Sequence, residues 1–532
     1  MLKECTLGAL DKKVLLVKEG DQINAFGAKC SHAKALLKTG TYFRGRVRCS
    51  LHGACFSVKT GDIEDYPACD GLPVFPVRVE NGKVLVTIHN EADLQKSAVT
   101  KKMAKLDSND KRVFVIIGGG PAGATAAETL RAEGFTGRVV LINKEKHLAY
   151  DRTKYSKIMN SPLDKTLLRN EEFYKNNDIE CLLGAEVVDL NPETKTVQLE
   201  SGKSIQFDQV LIATGADCQR LAFIPGYDGA NVHVLRTHED GHRIWNESKG
   251  KNVLIVGSSF IGMEVASCIV DHCKVTVIGM EPVPFERVLG KDVGALMQKY
   301  HEAKGVKFIL NAICKEFVRK GDTVVSVILK DGTQIDDVDM IVLGAGVVPA
   351  TGFLKHPSVQ LGRDKSVLVD KYLSTGLEGV WAAGDLARYP FSMLEDELVR
   401  IEHYGMAQTQ GAIAAKNMLA GGPKYPCNNV PFFWTSQYGK SVRYCGHALS
   451  YNEVILDNLD SDVSSKNFGY VAYYVHKEKV LAVCSMNRDP IVAQVAELMN
   501  ADIPIYADEL KKYISADGTA DQLIKKKLTS TF

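Results

Sequence analysis

Two matched pairs of metal-ligand residues stand near the N-terminus: Cys30 and His32 in CSH, then, sixteen residues further on, Cys49 and His52 in CSLH. A thiolate and a neutral imidazole both bind metal, and two of each from two loops complete a four-donor shell. Two chemistries fit that shell. Zinc would be structural and carry no electrons. An iron–sulfur cluster with two cysteines on one iron and two histidines on the other would pass single electrons, at a potential raised above that of all-cysteine clusters. Cys55 and Cys69 lie nearby and read as buried or free thiols.

Two glycine turns further along each follow a short apolar strand. After VFVII come Gly118, Gly119, Gly120, Pro121, Ala122 and Gly123, then an Ala-rich helix. Glycines there permit a tight turn, close backbone approach to a pyrophosphate and helix packing on the strand. The helix N-terminus favours the diphosphate charge. Glu145 ends the next strand, where a carboxylate binds ribose hydroxyls. The second turn, VLIVGSSFIGMEVA, has Gly257, Phe260, Ile261 and Gly262 but Ser259 in the middle glycine's place. Gly279 stands where an NAD-selecting acid is common, Glu281 follows, and no arginine is immediately adjacent to favour a 2′-phosphate. NADH is therefore expected, NADPH being the alternative. A second unit kept only for packing is the competing reading.

The elements that must position these residues follow from the pattern. Residues 1–94 alternate apolar and polar between Gly, Asn and Asp turns, predicting an all-β domain. Residues 95–110 are lysine-rich and read as a surface linker. The strand–turn–helix grammar predicts an α/β dinucleotide domain over 111–225 and 363–420, interrupted by a second over 226–362. The stretches 209–216 and 340–346 read as connecting strands, THEDGHR as a polar helix, and 421–532 as a C-terminal α/β domain. A chain of 532 residues with 45% hydrophobic content suits three or four domains. With 65 Lys plus Arg against 64 Asp plus Glu it has no global field for nucleic acid. No apolar run reaches membrane-spanning length. Thirteen scattered cysteines and no secretory leader point to the cytoplasm.

The stretch from Cys30 to the PVFPV at 73–77 resembles a ferredoxin-type Rieske [2Fe–2S] domain. The motifs ATG (Ala213, Thr214, Gly215) and VWAAGDLARYP, with the two glycine turns, resemble two-dinucleotide flavoprotein reductases of the pyridine nucleotide-disulfide oxidoreductase type. HLAYDRTKYSK is similar to the flavin-side loop of ferredoxin reductases and apoptosis-inducing factors, with Ala149 in place of a common proline. The whole chain resembles the Rieske-bearing branch of the apoptosis-inducing factor family. That resemblance implies FAD, held also by Arg152, Val187, Arg220 and Asp385, the last on the ribityl hydroxyls. It implies Trp434 at the flavin edge, Glu402 and His403 beside the isoalloxazine, and Lys157 near N5, paired with Glu264 near the nicotinamide. Gly344 and Gly346 fall on the NAD side.

No cysteine lies between Cys69 and Cys181, which removes the thiol relay of disulfide reductases and leaves the cluster as second redox centre. Cys268 and Cys273 read as packing residues of one helix. A hydride brings two electrons, the cluster takes one at a time, and a flavin converts between them. The expected activity is NAD(P)H-dependent reduction of flavin, then cluster, then an unidentified acceptor protein or small acceptor, with His32 and His52 presenting surface edges for electron exit. The alternative is a redox-responsive signalling or cell-death factor whose NADH-bound state controls assembly. A mononuclear-iron oxygenase is excluded by the scattered remaining histidines. A homodimer, and mitochondrial association by family resemblance, are compatible with either reading.

Overall fold

The alternating N-terminal stretches pair as two antiparallel four-stranded sheets. One orders Leu2–Leu7, Lys12–Glu19, Gln22–Gly27 and Val74–Phe75; the other orders Thr41–Phe43, Arg46–Arg48, Cys55–Ser57 and Ile63–Asp65. Leu15, Val17, Phe26, Val47 and Phe56 fill the space between them, and the ligand loops project from its edge. The computed structural model describes residues 2–8, 12–94, 97, 101–515 and 518–530.

Two parallel five-stranded sheets follow. The first orders Ile179–Leu183, Arg138–Asn143, Val113–Ile117, Gln209–Ile212 and Val380–Ala382. The second orders Val232–Val234, Met340–Leu343, Asn252–Val256, Lys274–Ile278 and Lys307–Ile309. The first sheet thus takes its last strand from beyond the whole of the second. Gln209–Ile212 and Met340–Leu343, expected as connectors, are sheet members bonded directly to each glycine-turn strand. They are buried on both faces and carry the unbroken apolar run of such strands.

The C-terminal sheet is antiparallel, ordered Phe432–Gln437, Lys440–Gly446, Lys479–Met486, Gly469–His476 and Glu453–Asp460. The helix Ile491–Asn500 packs on it through Ile491, Val492, Val495 and Leu498. THEDGHR begins the helix His238–Glu247, with Thr237 and Asp240 forming its capping box. Cys268 lies on the helix Phe260–Ile269, but Cys273 lies beyond its end.

Residues 95, 96 and 98–100 of the expected linker lie outside the described residues. The remainder is anchored: Ala104 N–H donates to Arg131 O and Asp107 N–H to Thr136 O, at 2.9 and 2.8 Å.

Candidate redox centre

Cys30 and Cys49 open turns of one form. Cys30 N–H donates to Ala35 O at 2.8 Å and Lys34 N–H donates back to Cys30 O at 3.0 Å; Cys49 pairs likewise with Ala54 and Gly53 at 2.8 and 3.1 Å. The fourth residue after each cysteine is left-handed, Lys34 at φ 57° and Gly53 at φ 80°. The histidine comes two residues after the first cysteine and three after the second, and the Nδ1 atoms meet at 3.0 Å. Burial, with the His32 charge behind it, pushes His52 down to about 2, and burial lowers His32 too, so both rings stay neutral. A hydrogen bond from Cys30 lowers Cys49 to about 7, while the same bond, with burial, raises Cys30. Two neutral imidazoles and two adjacent thiols, one of which, Cys49, is lowered toward ionisation, fit a two-cysteine, two-histidine cluster.

A cavity of about 1210 Å³ runs between the parallel sheets and the C-terminal sheet. Gly118, Gly120, Pro121, Ala122, Glu145, Arg152, Lys157 and Val187 line it, as do Ala213, Thr214, Gly215, Asp385, Glu402, His403 and Trp434. Ser259, Phe260, Ile261, Glu264, Gly344 and Gly346 line its other end. A Cβ on Gly118, at φ 115°, would stand 2.2 Å from Ala213 O, whereas one on Gly120 would meet nothing, leaving that backbone open to a diphosphate. Gly123, Gly257 and Gly262 lie behind the wall and permit backbone packing: a Cβ on Gly123 would meet Gly118 O at 1.9 Å, one on Gly257 would meet Gly344 O at 2.3 Å, and one on Gly262 would meet Gly257 O at 2.0 Å. His403 Nδ1 is buried without a partner, and burial pushes that ring down to about 3. Paired glycine turns, an acid beside one of them and an unpartnered imidazole in one cavity fit a bound dinucleotide.

Glu264 is buried at the centre of a polar group, accepting from Lys157 Nζ at 2.9 Å, from Thr435 Oγ1 at 2.6 Å and from Ser156 Oγ. These bonds hold Lys157 at the cleft. Burial opposes ionisation of Glu145, but Arg152 at 2.9 Å and the Tyr150 hydroxyl at 2.6 Å outweigh it and hold the carboxyl below its ordinary value.

Trp434 joins the two halves. Its ring centroid lies 4.4 Å from that of His52 and 6.0 Å from that of His32 while the ring lines the cleft. The histidine edges expected at the surface are half-buried and meet Trp434 and each other. The second ligand loop is clamped by C-terminal residues. Arg443 Nε donates to Leu51 O at 3.2 Å, and Phe432 stands against Gly53. Arg48 donates to Gly53 O at 2.8 Å and pairs with Asp65 and Glu497, each at 2.6 Å. Burial works against the Arg48 charge, but Glu497 and Asp65 overturn it and hold the guanidinium well above its ordinary value.

Two expected contacts are absent. Arg220 is exposed and outside the cleft wall; Arg236 stands at the cleft instead, 3.4 Å from Asp385. Glu281 also lies off the wall, 2.5 Å from Arg287 Nε, and it is Arg287 that faces the cavity. No arginine is immediately adjacent to Glu281 in sequence, as expected, but the helix beginning at Glu286 brings Arg287 back to it. Gly279 has no room for an acid, since its Cβ would meet Ser258 Oγ at 2.5 Å. Arg236, Thr435, Arg443 and Glu497 were not legible, because each acts across a fold-level contact.

Models of three families match the chain: pyridine nucleotide-disulphide oxidoreductase at residues 112–413, Rieske [2Fe-2S] domain at 3–76 and reductase C-terminal at 432–513. Fold and site define a flavoprotein reductase that carries its own Rieske centre. The chain belongs to the pyridine nucleotide-disulphide oxidoreductase family, and it is 38% identical to Apoptosis-inducing factor 3 of Mus musculus and of Homo sapiens, over 96% of this chain and 84% of each relative. The biphenyl dioxygenase system ferredoxin–NAD(+) reductase component of Paraburkholderia xenovorans is 33% identical over 64% of this chain and 83% of its own length. The solved covalent putidaredoxin reductase–putidaredoxin complex matches with TM-score 0.71 and 25% identity, over 79% of this chain and 99% of that one. The protein is an NAD(P)H-dependent flavoprotein oxidoreductase that uses FAD and passes electrons to its Rieske cluster. Among the described residues no helix is long and apolar enough to cross a membrane.

Proposed function

We propose that NADH reacts at the cleft face bearing Lys157 and Glu264, and that Trp434 bridges the flavin side to His52. FAD, when bound, would supply the conversion between two-electron hydride chemistry and one-electron transfer. Gly118, Gly120 and the helix N-terminus after them hold the diphosphate, Glu145 a ribose, and Asp385 with Arg236 the ribityl chain. The Lys157 ammonium stabilises negative charge that develops in the cleft. Ser259, Phe260 and Ile261 receive the nicotinamide nucleotide. Glu281 neutralises Arg287 and so withdraws it from a 2′-phosphate, favouring NADH. Glu281→Ala is expected to lower the KM for NADPH relative to NADH.

The contact of Trp434 with His52 at 4.4 Å carries this reading. Anaerobic NADH titration followed by optical and electron paramagnetic resonance spectra tests it. Both flavin bleaching and the reduced Rieske signal are expected, and Trp434→Ala should slow only the second. A cluster that stays oxidised while flavin bleaches overturns the internal relay; an unslowed Trp434→Ala cluster overturns the bridge.

With His52 taken up by Trp434, the final one-electron acceptor, protein or small molecule, is assigned to the first ligand loop, where Ala33, Lys34 and Leu36 are exposed. Besides Cys30 and Cys49, the cysteines form no disulfide, which favours a reducing, cytosolic setting; mitochondrial association rests on family relationship alone. The sheet composition supports dividing the chain at about 94, 225 and 420, while Leu354 and Val359, packed in the core of the first parallel sheet, favour a boundary before Leu354 over one at 362.

A further inference from the structure

Behind the flavin-side wall of the cleft, three side chains outside the redox centre bring their donor atoms together. His147 Nε2 lies 3.0 Å from Glu239 Oε1, His238 Nδ1 lies 2.8 Å from Glu239 Oε2, and all three ligand atoms fall within 4.8 Å of one another. Despite that proximity His238 Nδ1 makes no hydrogen bond, and its side chain is only 12% exposed. The imidazoles are packed edge to face at 4.7 Å, with Tyr150 and Tyr155 walling His238 at 5.8 and 5.9 Å. His242 is engaged elsewhere, its Nε2 2.9 Å from Ser161 O.

We propose that His147, His238 and Glu239 bind one divalent transition-metal ion of the zinc class, which braces the flavin-side wall. Two imidazoles and one carboxylate with a position left for water is a common open zinc set. Imidazole donors favour such ions over magnesium or calcium. The ligands are held before any ion arrives. Asn143 Nδ2 donates to His147 O at 2.7 Å, and the Thr237 and Asp240 capping box sets the helical turn bearing His238 and Glu239.

The placement gives the ion a task. None of the three residues lines the cleft, but Glu145, Arg152 and Arg236 do. The segment bearing Glu145 and Arg152 is already tied to the other by Arg152 Nη1 donating to Arg236 O at 2.7 Å. An ion shared by His147 and the helix replaces the His147–Glu239 hydrogen bond that already crosses this seam with a stronger tie, so FAD leaves more slowly when it is bound. This consequence rests on the reading that FAD occupies the cleft.

The test uses holoprotein with FAD and cluster in place, cluster content being checked by electron paramagnetic resonance so that Cys30, His32, Cys49 and His52 are not available. Calorimetric titration with zinc chloride is expected to show one site. His238→Leu and the size-preserving Glu239→Gln should weaken it at least about tenfold, while His242→Gln binds as the wild type does. FAD release, followed by flavin fluorescence, should slow severalfold with zinc in the wild type and His242→Gln only. Zinc binding that is absent, or unchanged in both ligand variants, means an adventitious ion only and overturns the site. Loss of binding in the variants with no zinc effect on FAD release in the wild type overturns the brace. Failure of FAD to bind at all would instead strike the flavin reading, because zinc stoichiometry is measured independently.

Discussion

The two ligand loops share a backbone form and differ in what holds them. Residues 30–35 are tied within their own domain, Ser31 Oγ donating to Asp70 O at 2.6 Å, while Ala33 and Lys34 face solvent. Residues 49–54 are gripped from the far end of the chain by Arg443 and Phe432, and through Arg48 by Glu497. The same turn thus serves two purposes. One loop is fastened so that His52 stays against Trp434, and the other is left open toward the outside.

Removing the grip should have the largest effect. Glu497→Ala leaves Arg48 buried beside one carboxylate instead of two, and breaking such a pair costs about 3–5 kcal/mol. Thermal melts should fall accordingly, and stopped-flow mixing with NADH should show normal flavin reduction with slow or absent cluster reduction. Cluster reduction at the wild-type rate would show that the clamp is not what positions the second loop.

The equivalent left-handed positions give a sharper comparison. Gly53→Ala adds a Cβ 2.5 Å from the Phe432 ring and places it at φ 80°, so a cost of about 2–4 kcal/mol and a weakened contact to Trp434 are expected. Lys34→Gly relieves the same backbone strain at an exposed site and should stay within about 1 kcal/mol of the wild type. Equal losses of stability in the two variants, read by denaturant titration, would erase the distinction between the loops.

The smallest effect concerns pH. Burial opposes the Asp65 charge, but Arg48, Arg46 and Asn429 outweigh it and hold the carboxyl below its ordinary value of about 3.9. A depressed carboxyl contributes stability that is complete above its unfolded value and lost only as pH falls through the folded one. The clamp should therefore be unchanged between about pH 8 and 5. A fall in cluster-reduction rate within that window, at constant flavin reduction, would reveal a titrating group that this account lacks.

Legibility followed range. The CSH and CSLH pairs, GGGPAG and Glu145 could be read directly, because ligand chemistry and glycine turns are short-range features with few alternative uses. Gln209–Ile212 could be read as a strand but not placed beside Val113–Ile117, since a strand buried on both faces shows no alternation to mark its neighbours. Arg287 escaped notice because it arrives at Glu281 from the following helix. Arg48 and Glu497 are 449 residues apart, and neither has a neighbour in sequence that marks it.

Local sequence determined the donor set, the two nucleotide turns and the need for a carrier between two-electron and one-electron chemistry. These depend on side-chain type and on backbone freedom over a few residues. Only the tertiary structure decided that Trp434 stands between cleft and cluster, that His52 turns inward and that Arg287 faces the cavity. Those outcomes depend on which surfaces bury one another, a balance of packing and desolvation summed over the whole chain.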